Sequence, residues 1–212
     1  MIDRSKDLKV IAEQAHEYFS NKHSAREKAL QLSRGTIQLS SKSIRSSHRN
    51  EFHEARVLLD EARSLVSEMI DIRLTHPDIY YTGFVQDAQK EYVEALLTFA
   101  LIADEYFTMP NDIGIAFSAY LNGLGETIGE MRRYLLDSIR RGETSKCESI
   151  LDVMDQIHTE LFTMDFPEAI TGGLRRTTDA MRGILERTRG DLTNALRQQK
   201  LEEQINRFID GS

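Results

Sequence analysis

Two pairs of glutamates in this sequence are spaced as they would be on one face of a helix. Glu91 and Glu94 are three residues apart, and Glu126 and Glu130 are four apart. Side chains at these spacings lie one helical turn above each other, so each pair would stack its like charges. A divalent cation would offset that repulsion, and carboxylate oxygens are the ligands that Mg²⁺ and Mn²⁺ prefer. The two pairs together therefore indicate a metal site shared by two helices.

A solvated acidic stripe would also account for each pair taken alone. The first pair argues against it, because the residues that follow, Ala95 to Ala103, are almost all apolar and predict a helix buried on most sides. Partial burial makes unpaired like charges costly. The second pair is more easily explained as a solvent-exposed surface, since Arg133 follows Glu130 at the spacing of an ion pair.

A basic stripe precedes the acidic segments. Residues 1–50 contain 10 Lys and Arg against 5 Asp and Glu, a net charge of +5, whereas residues 51–110 contain 4 against 12, a net charge of −8. No acidic residue occurs between Lys28 and Asn50. Four cations would share one face of a helix there and form a candidate nucleic-acid surface, although such a stripe is also typical of a solvated face: Arg34, Lys42, Arg45 and Arg49.

Helical periodicity dominates the chain and predicts an all-α fold in a single domain, 1–212. We expect about seven helices in an antiparallel bundle, near residues 3–20, 23–49, 51–74, 84–107, 113–141, 144–163 and 168–208. Short loops imply antiparallel neighbours, in particular for 84–107 and 113–141. The long C-terminal helix has a nearly heptad seam that suits a partner within the chain or in another subunit.

Composition and the apolar runs indicate the cellular compartment and whether a membrane span is expected. Cys147 is the one cysteine among 212 residues, so no disulfide framework is expected and a reducing, cytoplasmic environment suits the chain. The charged start, MIDRSKDLK, is not a secretory signal peptide. The apolar run from Ala95 to Ala103 is too short for the about 20 residues of a membrane span, so no membrane partner is expected.

A di-iron centre is a remote alternative use of the acidic residues. Glu13 and His16, and likewise Asp155 and His158, are spaced to place a carboxylate and an imidazole on one helical face. With acids from two further helices such pairs outline a di-iron four-helix site. One of the two motifs begins with Asp, and packed or exposed histidines explain the pattern as well.

Five segments, in this order and spacing, resemble translin and translin-associated factor X. They are LSRGTIQLSSKSIRSSHR (32–49), QKEYVEA (89–95), YLNGLGETIGEMRR (120–133), DSIRRGE (137–143) and LRRTTDAMRGILERTRGDL (174–192). Each motif is modest alone, but their order and spacing make the resemblance fairly specific, and it covers most of the chain from about residue 25 to 200.

The resemblance implies a fold, an assembly and an activity. It implies an all-α protomer of about seven helices, a hollow homo-octamer with RNA inside, and Mg²⁺-dependent cleavage of single-stranded RNA. It places the acidic site on Glu91, Glu94, Glu126 and Glu130, although we expect Asp rather than Glu at position 126 in the catalytic subunit. The resemblance also implies that the basic stripe faces the RNA. Arg133 is a further candidate for contact with the scissile phosphate.

The sequence therefore predicts a Mg²⁺- or Mn²⁺-dependent endoribonuclease that cleaves short single-stranded RNA inside a homo-oligomeric shell. The alternative is a non-catalytic oligomer of the same fold that binds single-stranded RNA or DNA. Both need the basic stripe, whereas only the nuclease needs all four acids.

Overall fold

A computed structural model describes residues 4–210, and all regular secondary structure in that range is helical. Six long helices form the body, and three one-turn helices lie in the connections between them. Their bounds are α1 Ser5–His48, α2 Phe52–Thr75, α3 Pro77–Tyr80, α4 Gly83–Ala103, α5 Pro110–Ile113, α6 Phe117–Arg140, α7 Cys147–Phe162, α8 Glu168–Thr171 and α9 Leu174–Asp210. The prediction of an all-α fold with a long C-terminal helix is confirmed.

The predicted break at Ser20–Asn21 is wrong, because α1 runs through it without interruption. The serine hydroxyls there bond within the helix instead of ending it: Ser24 Oγ donates to the Ser20 carbonyl at 3.0 Å. Serine can satisfy its hydroxyl on the preceding turn, so it is a weak signal for a helix boundary. The helices predicted at 3–20 and 23–49 are therefore one element of 44 residues; residue 3 itself lies outside the described range.

Helices α4 and α6 run in the same direction, which corrects the prediction that they are antiparallel. Lys90 contacts Glu126, and Leu101 and Tyr134 line one cleft further along, so contacts advance along both helices together. The connection is longer than the predicted loop because α4 ends at Ala103 and α6 begins at Phe117. An extended chain of that length reaches about 40 Å, enough to return along the roughly 30 Å of α4.

The other consecutive long helices are antiparallel, as predicted. Ser43 on α1 bonds to the Ala55 carbonyl on α2, near the turn between them. Asp155 on α7 pairs with Arg189 on α9, whereas Thr144, in the turn before α7, bonds to Gln199 further along α9, so contacts run in opposite chain order.

The last predicted helix, 168–208, is divided in two. Gly172 and Gly173 have φ angles of +64° and +89°, a left-handed backbone that glycine adopts without strain and that ends α8 before α9 begins. Within α9 the seam packs inside the chain from Leu174 to Leu192, against α6 and α7. Beyond residue 199 every described residue of α9 is exposed.

Two main hydrophobic clusters form the core. One joins α1, α2, α4 and the start of α6, and the other joins α6, α7 and α9 with the end of α4. Helices α4 and α6 contribute to both, so they form the centre of the bundle and any side chain between them is held from two sides. None of the helices in residues 4–210 is long and apolar enough to cross a membrane.

Candidate metal centre and nucleic-acid interface

Three of the four predicted acids meet between α4 and α6. Glu91, Glu94 and Glu126 each offer one carboxylate oxygen, and these oxygens all lie within 4.8 Å of one another. All three side chains are half-buried. Because the two helices are parallel, the pair on α4 and the pair on α6 remain in register along the shared face.

A glycine allows the two helices to approach closely enough for this contact. A Cβ atom at Gly123 would lie 2.7 Å from the Lys90 carbonyl oxygen and 2.8 Å from Val93 Cβ. These distances are shorter than van der Waals contact, so any larger residue at this position would push α6 away from α4. Gly123 precedes Glu126 by one turn, and therefore the sequence that supplies the acid also supplies the space that brings it to the cluster.

Burial and mutual repulsion perturb the carboxylates on α4. Burial, followed by the charges of Glu91, Glu126 and Glu130, raises the pKa of Glu94 to about 8. Burial is also the main cause that raises the pKa of Glu91, with the charge of Glu126 second. A group with a pKa near 8 binds a proton at neutral pH when no cation is present, so Glu94 stores a proton that a cation would displace.

The fourth predicted acid, Glu130, is held beside the cluster by a histidine. Nε2 of His48, on α1, donates to Oε2 of Glu130 at 2.6 Å, and the histidine side chain is only 6% exposed. This hydrogen bond is the largest cause that lowers the pKa of Glu130. Arg133 lies 3.7 Å from the same oxygen atom, as the sequence spacing predicted.

Lys90 partly neutralises the cluster from the side of α4. Its Nζ donates to Oε1 of Glu126 at 2.8 Å. Burial alone would lower the pKa of Lys90, but the hydrogen bond and the charge of Glu126 outweigh burial, and the pKa is raised. Neither His48 nor Lys90 was predicted. Lys90 lies inside the QKEYVEA segment and could have been considered, whereas no spacing in the sequence relates His48 to Glu130.

The residues present fit a hard divalent cation. The cluster offers only oxygen ligands, one oxygen of each carboxylate lies within 4.8 Å of the others, and two of the carboxylates have pKa values raised by burial and like charge. Mg²⁺ and Mn²⁺ prefer such donors. Glu91, Glu94 and Glu126 would hold the ion, and Glu130 is close enough for its charge to act on Glu94.

The basic stripe is exposed along the second half of α1 and reaches the acidic cluster at its end. Arg34, Lys42 and Arg45 are exposed and form no ion pair within residues 4–210, whereas Arg49 is paired with Glu51. The four positions extend over about 22 Å of helix. His48 directly precedes Arg49, and its contact with Glu130 places this end of the stripe next to the acids.

The residues of the di-iron alternative are not brought together. Glu13 lies on the exposed part of α1, 4.0 Å from Lys9. Asp155 is paired with Arg189, and the His158 ring stacks on Phe162. In the part of the chain that the structure describes, the three glutamates are the one group of potential ligands with metal-binding spacing.

One protein of known sequence is similar to this chain over most of its length. No family model matches the chain. An uncharacterized protein of Methanocaldococcus jannaschii is 29% identical over 196 residues, which cover 92% of this chain and 86% of that protein.

Solved structures of C3PO proteins are similar in both fold and sequence. A structure of AfC3PO with duplex RNA has a TM-score of 0.81 and 32% identity, covering 88% of this chain and 97% of that one. A second AfC3PO structure has 31% identity at the same TM-score and coverage. NeC3PO without ligand, at 19% identity and a TM-score of 0.77, covers 92% of this chain and 98% of its own and supports the fold. The resemblance drawn from the sequence is confirmed: this chain belongs to the translin-like C3PO family.

Proposed function

We propose that this protein is a Mg²⁺- or Mn²⁺-dependent endoribonuclease that cleaves short single-stranded RNA inside a homo-oligomeric shell in the cytoplasm. The observation that supports this proposal most strongly is the meeting of Glu91, Glu94 and Glu126 within 4.8 Å, on two helices of the protein centre. These glutamates are half-buried, and Gly123 allows their two helices to approach closely. A solvated acidic stripe would require neither feature.

The acidic cluster would supply the catalytic centre. When bound, a divalent cation polarises the phosphodiester and lowers the pKa of a coordinated water. Glu91, Glu94 and Glu126 would be its ligands, and Glu94 would release the proton that it holds near neutral pH. His48 fixes one oxygen of Glu130 and so orients this carboxylate beside the cluster.

The basic stripe would bind the backbone of the substrate. Arg34, Lys42 and Arg45 are exposed cations without ion pairs in residues 4–210, and they lie on the helix that reaches Glu130. Contacts between such cations and phosphates are independent of base sequence and weaken with salt. The AfC3PO structure with duplex RNA supports RNA as the ligand of this family.

A non-catalytic RNA- or DNA-binding oligomer of the same fold is the second candidate. One observation favours it: two of the four acids already have cationic or hydrogen-bonding partners in the protein. Lys90 contacts Glu126, and His48 contacts Glu130. In that case the cluster would be a structural network, and the basic stripe alone would account for function.

Cleavage in the presence and absence of divalent metal separates the two candidates. Purified protein is incubated with end-labelled single-stranded RNA, with duplex RNA of the same sequence, and with either Mg²⁺ or EDTA. The nuclease proposal predicts internal cleavage of the single strand with Mg²⁺ and none with EDTA, while binding persists in both. Binding without cleavage under all metal conditions would favour the second candidate.

A further inference from the structure

A polar cleft adjoins the acidic cluster. Its volume is about 590 Å³, within the range of about 300–1,000 Å³ that is usual for small-molecule sites. Its walls come from the starts of α4 and α6 and from the junction of α8 with α9. Lys90 and Glu126 line the cleft and also belong to the cluster, so an occupant of the cleft would lie next to the three glutamates.

The wall opposite α4 is fixed by one buried side chain. Nδ2 of Asn122 donates to the carbonyl oxygens of Ser118 and Thr171, both at 2.8 Å, and Oδ1 accepts a hydrogen bond from Thr177 Oγ1 at 2.7 Å. Asn122 thereby joins α6 to the end of α8 and the beginning of α9. The left-handed glycines, Gly172 and Gly173, contribute backbone rather than side chains to the cleft, which keeps it open.

One arginine that lines the cleft has no salt bridge within the described range. Arg176 is exposed and forms no ion pair with any residue of 4–210, although Asp87 and Glu168 line the same cleft. A guanidinium is suited to bind a phosphate through two hydrogen bonds. The carboxylates of Asp87 and Glu168 are acceptors for hydroxyl and amino groups, which ribose and the bases provide.

We propose that this cleft binds one nucleotide of the RNA, adjacent to the phosphate at the acidic cluster, and that Arg176 contacts the backbone phosphate of that nucleotide. This inference rests on the proposed function for the identity of the ligand. The basic stripe on α1 would bind the RNA strand along its backbone. The cleft would in addition place one nucleotide of that strand beside the carboxylates.

Binding of adenosine 5′-monophosphate, measured by calorimetry in EDTA, tests the cleft without any catalytic step. Arg176→Gln is compared with Arg175→Gln, which removes the same charge from the neighbouring exposed residue that lines a different cleft. We expect the parent and Arg175→Gln to bind the nucleotide alike and Arg176→Gln to bind about 5- to 10-fold more weakly. Both substitutions are at exposed positions, and circular dichroism confirms that the variants are folded.

The proposal is overturned if the parent does not bind the nucleotide, or if both variants lose affinity equally or not at all. Cleavage of RNA by the parent is scored separately. Nucleotide binding that depends on Arg176 in a protein that never cleaves RNA would overturn the nuclease and support the cleft. Metal-dependent cleavage together with equal nucleotide binding by all three proteins would support the nuclease and overturn the cleft.

Discussion

Glu94 is the residue at which burial and like charge act together most strongly. Its pKa of about 8 in the folded protein lies above the 4.5 that we take for the unfolded chain. A carboxyl group whose folded pKa is raised destabilises the fold as pH rises from its unfolded to its folded pKa. In the absence of metal, the contribution of Glu94 therefore becomes increasingly unfavourable between about pH 4.5 and 8.

Replacement of Glu94 by Gln should stabilise the metal-free protein at high pH. The amide keeps the size of the side chain and removes its charge, so we expect a gain of about 2 kcal/mol at pH 8, allowing for solvent screening, and little change at pH 4.5. Thermal unfolding in EDTA at both pH values measures this difference. Glu143→Gln, at an exposed position, should behave like the parent at both. A Glu94→Gln variant without any gain at pH 8 would contradict the burial of this charge.

At the residue scale, the sequence predicted the acids better than it predicted their partners. Helical spacing placed Glu91 and Glu94 on one face, and the structure brings both to Glu126. It did not predict His48, because a contact between α1 and α6 depends on tertiary packing that no local pattern encodes. The consequence is that Glu130, predicted as an equal fourth ligand, is held by His48 at 2.6 Å.

At the scale of elements, helix existence was predictable and helix direction was not. The prediction ended one helix at 107 and began the next at 113, which left a loop too short for a return along the helix. In the structure the connection extends from Asp104 to Ala116, and it passes along α2, where Arg63 bonds to the Asp112 carbonyl. An error of a few residues at each predicted boundary was therefore enough to give the wrong relative direction for the two helices.

The break between α8 and α9 can be tested with two glycines. Gly173 has a φ of +89° and Gly190 lies inside α9; a Cβ atom would meet no other atom within 4 Å at either position. We expect Gly173→Ala to lower the free energy of unfolding by about 1–2 kcal/mol through backbone strain. Gly190→Ala should raise it by about 0.5–1 kcal/mol, because alanine favours the helix. Denaturant unfolding that gives the same sign for both variants would refute the left-handed break.

The basic stripe on α1 makes a prediction about salt. Loss of a phosphate contact reduces the slope of log affinity against log salt by about 0.7 for a single strand. The double variant Lys42→Ala and Arg45→Ala should therefore bind single-stranded RNA with a slope lower by about 1.4, as measured by anisotropy titrations. Arg49→Ala should have a smaller effect because Arg49 is already paired with Glu51. Arg140→Ala is the control at an exposed position of α6, and an equal effect there would mean that the stripe has no special role.

At the scale of the whole molecule, both ends of the chain expose apolar side chains on long helices. Leu8, Ile11 and Phe19 are each at least 61% exposed on α1, and Leu201 and Ile205 are about half exposed on α9. A single protomer rarely exposes apolar groups along extended elements unless they bind a partner. We expect the proposed homo-oligomeric shell to cover these ends, and the sequence periodicity does not distinguish a partner helix in the same chain from one in another subunit.

Light scattering coupled to gel filtration should show an oligomer at micromolar concentration. An octamer of this 24.3 kDa chain would have a mass of about 194 kDa, eight times that of the protomer. Ile11→Asp and Ile205→Asp should each reduce the mass, whereas Leu74→Asp, at an exposed position on α2, should not. A parent protein of 24.3 kDa would exclude a shell, and with it the enclosure of RNA.

Cleavage by Glu94→Gln at matched RNA occupancy tests most directly whether the three glutamates form a catalytic metal site. Labelled single-stranded RNA is saturated with parent, Glu94→Gln or Glu143→Gln protein, and cleavage is started with Mg²⁺. We predict that Glu94→Gln binds RNA as the parent does but cleaves at least about 100-fold more slowly, because loss of a ligand charge weakens the metal site. Glu143→Gln should retain full activity. Cleavage by Glu94→Gln at the rate of the parent would contradict the metal site proposed between α4 and α6.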